Sequence, residues 1–486
     1  VVGPILGGGV LWEPNCEASL LAGIRKNHAD QIPLCERMTD AEFQSHRDWF
    51  VRAFVSGECD ARHKIEFRAQ HLSVYDVLAH VAIKDPAKAR RYWDEYLDHF
   101  KRIVYSSNRH KGKLKVKVEI LKWGKMPRVI VDFGGYYVVL GHSFAIPLER
   151  HLKVLNGWKG LKVKDKWIPL ANIAAKFHYD VFLALTDDTA RDCNTIDRDF
   201  LIFIDVLIAS GCLVEGSEAH LFLLRVGLSA TTVAGNLRSL LMRLFSGTSF
   251  TSSMNFVTSY GWLTFFARHL GFVPEEFMCA AEGDDTAIGF CGAAFRRLSP
   301  DVSEANVIRL GRMYAKDMKI EKFGWLLPGT AWPCVGGHAV YISGTTWRYV
   351  PSVSRAMIKA GYSISYEFTS GRSFIGRIKA RADSLNDRFD TIPVFWAYAA
   401  VVSAYAATFP GSSDRTAEEN FELYEHHWEG QAAGPPDHLD RIAFEIVTGV
   451  SPGSQIIIEE QLLDCIKCRD WHRDLTSLFH FWIAAN

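Results

Sequence analysis

The chain of 486 residues carries no net charge, because 55 Lys and Arg balance 55 Asp and Glu. Overall charge gives no reason to expect a polyanionic partner, so such a reading has to rest on local clusters. A disulfide framework is also missing. The ten cysteines are scattered, which suits free thiols in a reducing compartment. Cys465-Ile466-Lys467-Cys468 with His472 is half of a zinc pattern. No second Cys-x-x-Cys completes it, and a helical pair of free thiols is expected. Gly7-Gly8-Gly9 is not followed by Lys-Ser or Lys-Thr, which excludes a P-loop there. Internal repeats and low-complexity tracts are absent. The most apolar stretch, 392–409, is free of charge but contains Pro393, Ser403 and Thr408. It is at the short end for crossing a bilayer, and a buried helix is expected. The chain has no starting Met and no signal peptide, and Val1-Val2-Gly3 reads as the start of a processed or recombinant product.

What is present is ordinary globular composition, with 48% hydrophobic and 23% charged residues. That excludes disordered and collagen-like chains. The length suggests more than one compact unit, or one large unit built of subdomains. Residues 73–100 repeat Val77, Leu78, Val81, Tyr92, Tyr96 and Phe100 at helical spacing, and Pro86 splits them into two helices and opens the second. Charge then changes abruptly. Between 101 and 128 stand Lys101, Arg102, Arg109, Lys111, Lys113, Lys115, Lys117, Lys122, Lys125 and Arg128, with Glu119 as the lone acid. A local field of that density favours polyanions.

Alternation over 114–120 predicts a strand with its charges on one face, and 127–131 reads as a second strand. The apolar run 181–186 ends in Asp187-Asp188, as a buried strand ends at a site. Residues 200–208 and 237–245 look helical. Residues 255–270 continue a helix opened by the Ser/Thr-rich loop at 246–253. Residues 277–290 read as a hairpin with Glu282-Gly283-Asp284-Asp285 at its tip. From 353 onward the pattern is mainly helical, interrupted by a polar, acidic surface stretch at 411–440.

Gly283-Asp284-Asp285 alone is weak, since a tight turn with solvated acids explains it. Ser246-Gly247, then Thr251, then Asn255 adds to it. Thr251 and Asn255 are spaced i,i+4 and share a helix face, and Ser-Gly before them allows close backbone approach to a ligand. An N-capped helix explains one or two of these residues but not the set. Upstream, Asp187 ends an apolar strand and Asp192 follows five residues later. Further upstream lies Lys125-Met126-Pro127-Arg128-Val129-Ile130. Four elements thus stand in order: basic strand pair, acid at a strand end, Ser-Gly helix, Asp-Asp hairpin.

This ordered set resembles the signature motifs F, A, B and C of viral RNA-dependent RNA polymerases. The Lys-Met-Pro-Arg-Val-Ile and Asp-x4-Asp forms look most like the tombusvirus and nodavirus side of the positive-strand RNA viruses. The resemblance is specific over about 115–290, loose to about 355 and weak outside. It implies an α+β right-hand fold of fingers, palm and thumb, with an antiparallel palm sheet and a mainly helical thumb. Fingers would span 1–175, with a fingers/palm insertion at 195–240. Palm would take 176–194 and 241–345, and thumb 346–486. Arg191 departs from the family, which usually has an aromatic residue before the second acid. Asp192 and Asp197 repeat the motif A spacing, but Asp187 is preferred because it ends the apolar run.

The residues suit nucleotidyl transfer on chemical grounds too. An in-line displacement at phosphorus needs an activated 3′-hydroxyl and a neutralised pyrophosphate, and two Mg2+ or Mn2+ ions supply both. Asp187 and Asp284 would bridge them, with Asp285 as an auxiliary ligand. For the NTP triphosphate, Arg128 and Lys117 are the first candidates and Lys115 and Lys125 the next, since guanidinium and ammonium groups suit phosphate oxygens. By resemblance, Asp192 and Asn255 read the ribose 2′-hydroxyl, with Ser246, Gly247 and Thr251 in the same motif. By resemblance also, Lys319 protonates the leaving pyrophosphate, with Lys316 in reserve, and 334–347 contains a motif E hairpin. Expected partners are RNA template, nascent RNA, NTPs and other viral replication proteins. The expected location is host cytoplasm, in membrane-associated replication complexes or in the virion, with no membrane association clearly encoded. No helicase or capping-enzyme segment is found. A reverse transcriptase-like nucleotidyl transferase and a non-catalytic RNA-binding scaffold are the competing readings.

Overall fold

The computed structural model describes residues 9–11, 18, 19, 22, 32–62, 65–103, 111–116, 120–122, 129–155, 158, 161–188, 197–229, 231–234, 237–240, 248–283, 285–353, 371–411 and 434–470. Local chemistry starts its helices where the sequence signals them. Thr39 and Ser73 form capping boxes with Glu42 and Asp76 at the heads of Asp40–Ser56 and Val74–Lys84, each satisfying backbone donors that a helix start leaves open. Pro86 opens Pro86–Ile103, where its missing N–H costs nothing.

The centre is a four-stranded antiparallel sheet in the order Met318–Trp325, Val181–Asp188, Asp285–Cys291, Phe277–Glu282. Three of its strands are buried on both faces, Met318–Trp325 at the edge being partly exposed, and side-chain parity divides the buried three cleanly. Phe182, Ala184, Cys279, Ala281, Ile288 and Phe290 join the largest core, which includes Met254, Val257, Tyr260 and Phe266 of the helix Thr251–His269. Val181, Leu183, Leu185, Met278, Ala280 and Ala287 turn the other way, onto Leu170 and Ile173 of the helix Ile168–Lys176. Gly289 is needed on that face, because a Cβ there would come within 2.1 Å of Ile173 Cγ2.

Outside one edge of the sheet, Ala61 N–H donates to Phe277 O at 2.8 Å. Asp60 beside it accepts from Arg62, Tyr260 Oη and Cys279 N–H. This buried ion pair anchors the edge strand. Every carboxylate oxygen of Asp60 is used, which is the condition under which a buried charge is tolerated.

A second sheet, Thr330–Cys334, Gly337–Ser343 and Thr346–Pro351, is an antiparallel meander. Ala339 and Tyr341 pack toward the central sheet, whereas Val340 and Val350 join a separate core formed with Phe395, Tyr398, Phe444 and Leu462. The helices Gly371–Phe389, Phe395–Ala407, His438–Thr448 and Pro452–Cys468 supply that core. The boundary expected at 345/346 falls inside this meander. The apolar stretch 392–409 forms the partly buried Phe395–Ala407 helix, and among the described residues no helix is long and apolar enough to cross a membrane. Cys465 is buried and Cys468 exposed on the last of these helices, both as free thiols.

The basic segment contributes a third sheet, in the order Val129–Asp132, Lys111–Val116, Thr231–Ala234, Leu237–Leu240. Its 111–116 and 231–234 strands run parallel. Two expectations change here. The strand expected at 114–120 starts at Lys111 and is described to Val116. The helix expected at 237–245 is instead a strand over Leu237–Leu240, paired with Thr231–Ala234 in the register Ala234↔Leu237. Gly235-Asn236 between them is a two-residue hairpin signal, and it outweighs the i,i+3 spacing of Leu237 and Leu240. The remainder, 241–245, lies outside the described residues.

Candidate active site

The central sheet ends in charge. Lys319 is the direct cross-strand partner of Asp187, Asp187 of Asp285, and Asp285 of Glu282. One row across four strands therefore reads Lys319, Asp187, Asp285, Glu282. Partners in such a row carry their Cβ atoms on one face, about 4.5–5.5 Å apart between neighbours. Three acids in a row repel unless cations sit among them.

The protein supplies two of those cations itself. Lys319 Nζ lies 2.7 Å from Asp187 Oδ2, and this bond holds the ammonium above the ordinary lysine range, with Glu321 and Asp285 adding to it. Lys166 Nζ lies 2.7 Å from Glu282 Oε2 and also donates to Trp158 O. Lys166 is buried, and it reaches the row from the turn after Val163–Asp165. Glu321 sits where the register shifts between Ile320 and Lys322. Burial first, then the Asp187 charge, raises its carboxyl. Desolvation and then the Asp285 charge hold the Cys334 thiol well above its ordinary value.

Strand parity separates the two adjacent acids. Asp187 has the parity of Leu183 and Leu185 and keeps 22% of its side chain exposed. Asp188 has the parity of Phe182 and Ala184 and is 3% exposed. Asp187 is therefore the acid in the row with Asp285. Asp197, the alternative by spacing, lies in the first turn of Asp197–Ala209. Lys316 is committed to a buried ion pair with Asp199 at 2.8 Å, so Lys319 is the lysine at the row.

The helix Thr251–His269 fixes the hairpin tip from the other side. Ser259 Oγ donates to Gly283 O at 2.8 Å, and Trp262 Nε1 reaches Thr186 Oγ1 at 3.5 Å. Gly283 has φ +63, a left-handed turn conformation that glycine adopts without a Cβ penalty. Asn255 lies one turn N-terminal of Ser259, about 5.4 Å along the axis, and Thr251 one turn further. That stripe runs from the Gly283 carbonyl toward the helix start. Asn255 is buried, and the Thr251 and Thr248 hydroxyls are 2.6 Å apart.

The structure thus brings together Asp187, Asp285 and Lys319, and ties the helix that carries Thr251 and Asn255 to the same hairpin through Ser259. Asp284 itself, Asp192, Ser246, Gly247, Lys117, Lys125 and Arg128 lie outside the described residues. Lys115 is placed as a strand residue opposite Ile130. Sequence reasoning missed Glu282, Lys166, Glu321 and Ser259. Glu282 adjoins Gly283 and could have been weighed, but Lys166 is 116 residues from it and carries no local signal.

Carboxylate oxygens are the donor type that hard divalent cations take, and here the Lys319 ammonium sits on one of them. Among the described residues no group of three or more His, Cys, Asp or Glu is placed to hold a metal ion. Compared with known proteins, no family model and no curated protein matches this chain.

Proposed function

We propose that this chain is a template-directed RNA polymerase of an RNA virus. It would transfer ribonucleoside monophosphates from NTPs to an RNA 3′-hydroxyl within a right-hand fold of fingers, palm and thumb. The observation that carries the reading is the cross-strand row of Lys319, Asp187, Asp285 and Glu282 at the tip of an antiparallel sheet, backed by a helix carrying Thr251 and Asn255. In this reading the sheet and the Thr251–His269 helix are palm, the basic sheet around Lys111–Val116 is fingers, and the helices after 371 are thumb.

Asp187 and Asp284 would hold two Mg2+ or Mn2+ ions, with Asp285 beside them. When bound, these ions supply Lewis-acid activation of the hydroxyl and charge neutralisation of the pyrophosphate. The chain's own groups do the rest. Lys115, Lys117, Lys125 and Arg128 draw the triphosphate in from a basic wall, where contacts to RNA phosphates are sequence-tolerant and salt-sensitive. Asn255, with Asp192, Ser246 and Thr251, reads the ribose. A site built to pair with a hydroxyl leaves buried polar groups unpaired when a deoxy sugar binds. Lys319, protonated and at the row, is the proton source for the leaving group.

Primer extension on a primed RNA template with Mn2+ tests this reading. NTP incorporation, its loss in Asp284→Asn, and weakened rejection of dNTPs in Asp192→Ala and Asn255→Asp are expected. Preference for dNTPs would point to a reverse transcriptase. RNA binding without extension on any template, unchanged by Asp284→Ala, would leave only a scaffold.

A further inference from the structure

The charged row contains a cation where the proposed function needs a metal. Lys319 Nζ sits 2.7 Å from Asp187 Oδ2, yet half of the lysine side chain is exposed. Lys319 is paired in regular register with Asp187, and the same strand bulges two residues further on, at Glu321. By contrast the other lysine of the row, Lys166, is buried and is also held by Trp158 O. One ammonium is therefore buried and held by two partners, and the other is half exposed on a carboxylate.

We propose that Lys319 is a displaceable counter-ion. It occupies Asp187 while the site holds no divalent cation, and it gives up that carboxylate when one binds. The inference rests on the polymerase reading and adds a property to it, namely that the chain sets its own threshold for divalent cations through a competing ammonium. The physical reason is charge density. A doubly charged ion attracts Asp187 and its neighbours more strongly than a single ammonium does, but it first has to replace the ammonium's contact, and this replacement lowers apparent affinity. Release also frees Lys319 for a new partner, so one side chain both guards the carboxylate and becomes available when the site is loaded. Lys166, with its second bond and its burial, stays on Glu282 in both states.

The test is direct Mn2+ binding to the whole chain, read by electron paramagnetic resonance of free Mn2+ and by the shift in melting temperature on adding Mn2+. Wild type is compared with Lys319→Met, Lys319→Gln, Lys319→Arg and Asp187→Asn. Removing the ammonium in Lys319→Met or Lys319→Gln is expected to tighten Mn2+ binding by about tenfold, or about 1.4 kcal/mol, and to enlarge the Mn2+-induced melting shift. Lys319→Arg keeps a competing cation and is expected to stay near wild type. Asp187→Asn is expected to lose the tight site. If Asp187→Asn loses the site but the Lys319 variants bind no tighter than wild type, the counter-ion role is overturned and the polymerase reading stands. If wild type and all variants fail to bind Mn2+, both are overturned.

Discussion

The central sheet carries two cross-strand rows of opposite character, on opposite faces. At one end Trp325, Phe182, Phe290 and Phe277 stand in line across four strands. At the other end, on the same strands, stand Lys319, Asp187, Asp285 and Glu282. Five residue steps separate them on three strands and six on the bulged one, about 17 Å. The aromatic row is built for stability: Phe290 and Phe277 are fully buried, and Phe182 stacks on Phe295 with ring centroids 3.9 Å apart. The charged row gains nothing comparable. Its carboxylates repel one another, its outer ion pair is half exposed, and exposed pairs contribute little. In the proposed reading such a row is kept for chemistry and held in place by the stable end.

That contrast can be broken by substitution. The largest effect is expected from Asp187→Asn and Asp284→Asn, which should lower nucleotide incorporation by at least about a thousandfold, or about 4 kcal/mol of barrier. Their melting temperature should equal or exceed that of wild type, since one repelling charge is gone. Substantial unfolding with either variant would make the row structural and remove the contrast. At the other end, Phe290→Ala should lower unfolding free energy by about 3–5 kcal/mol, measured by urea denaturation. Any remaining folded fraction should still incorporate nucleotide.

Acid gives a third handle on the buried part. His46 is buried among Phe50, Phe265 and Tyr314, and desolvation, with Arg268 adding, lowers it from 6.5 to about 3. The native state keeps this imidazole neutral while the unfolded chain protonates it. Its contribution is therefore complete above pH 6.5 and is lost as pH falls from there toward 3. Stability should drop by at most about 2 kcal/mol between pH 6.5 and 5, and His46→Phe should reduce that slope. A slope unchanged in His46→Phe would contradict the assignment. The smallest effect is expected from Ser259→Ala. It removes the hydroxyl bonded to Gly283 O, costs about 1 kcal/mol, and should lower incorporation severalfold by loosening the hairpin tip.

The aromatic and charged ends were unequally legible. The run 181–186 announced a buried strand, and the acids after it marked its end, because apolar length and a charged stop are local signals. The hairpin tip at Gly283 was readable for the same reason. The choice of Asp187 over Asp188 rested on adjacency to the run, while the structural distinction is parity, which needs to know which face each layer covers. Lys166 on Glu282 and the register shift at Glu321 come from tertiary packing and leave no local trace. The misread segment at 237–240 shows the converse. There a helix-like leucine spacing competed with Gly235-Asn236, and pairing with Thr231–Ala234 decided the outcome.

The most direct measurement is anomalous diffraction from a crystal of the chain soaked in Mn2+. The account predicts two peaks about 4 Å apart, in contact with Asp187 and the Asp284-Asp285 tip, with the Lys319 ammonium moved off Asp187. Manganese bound elsewhere, or no manganese at this tip, would contradict it.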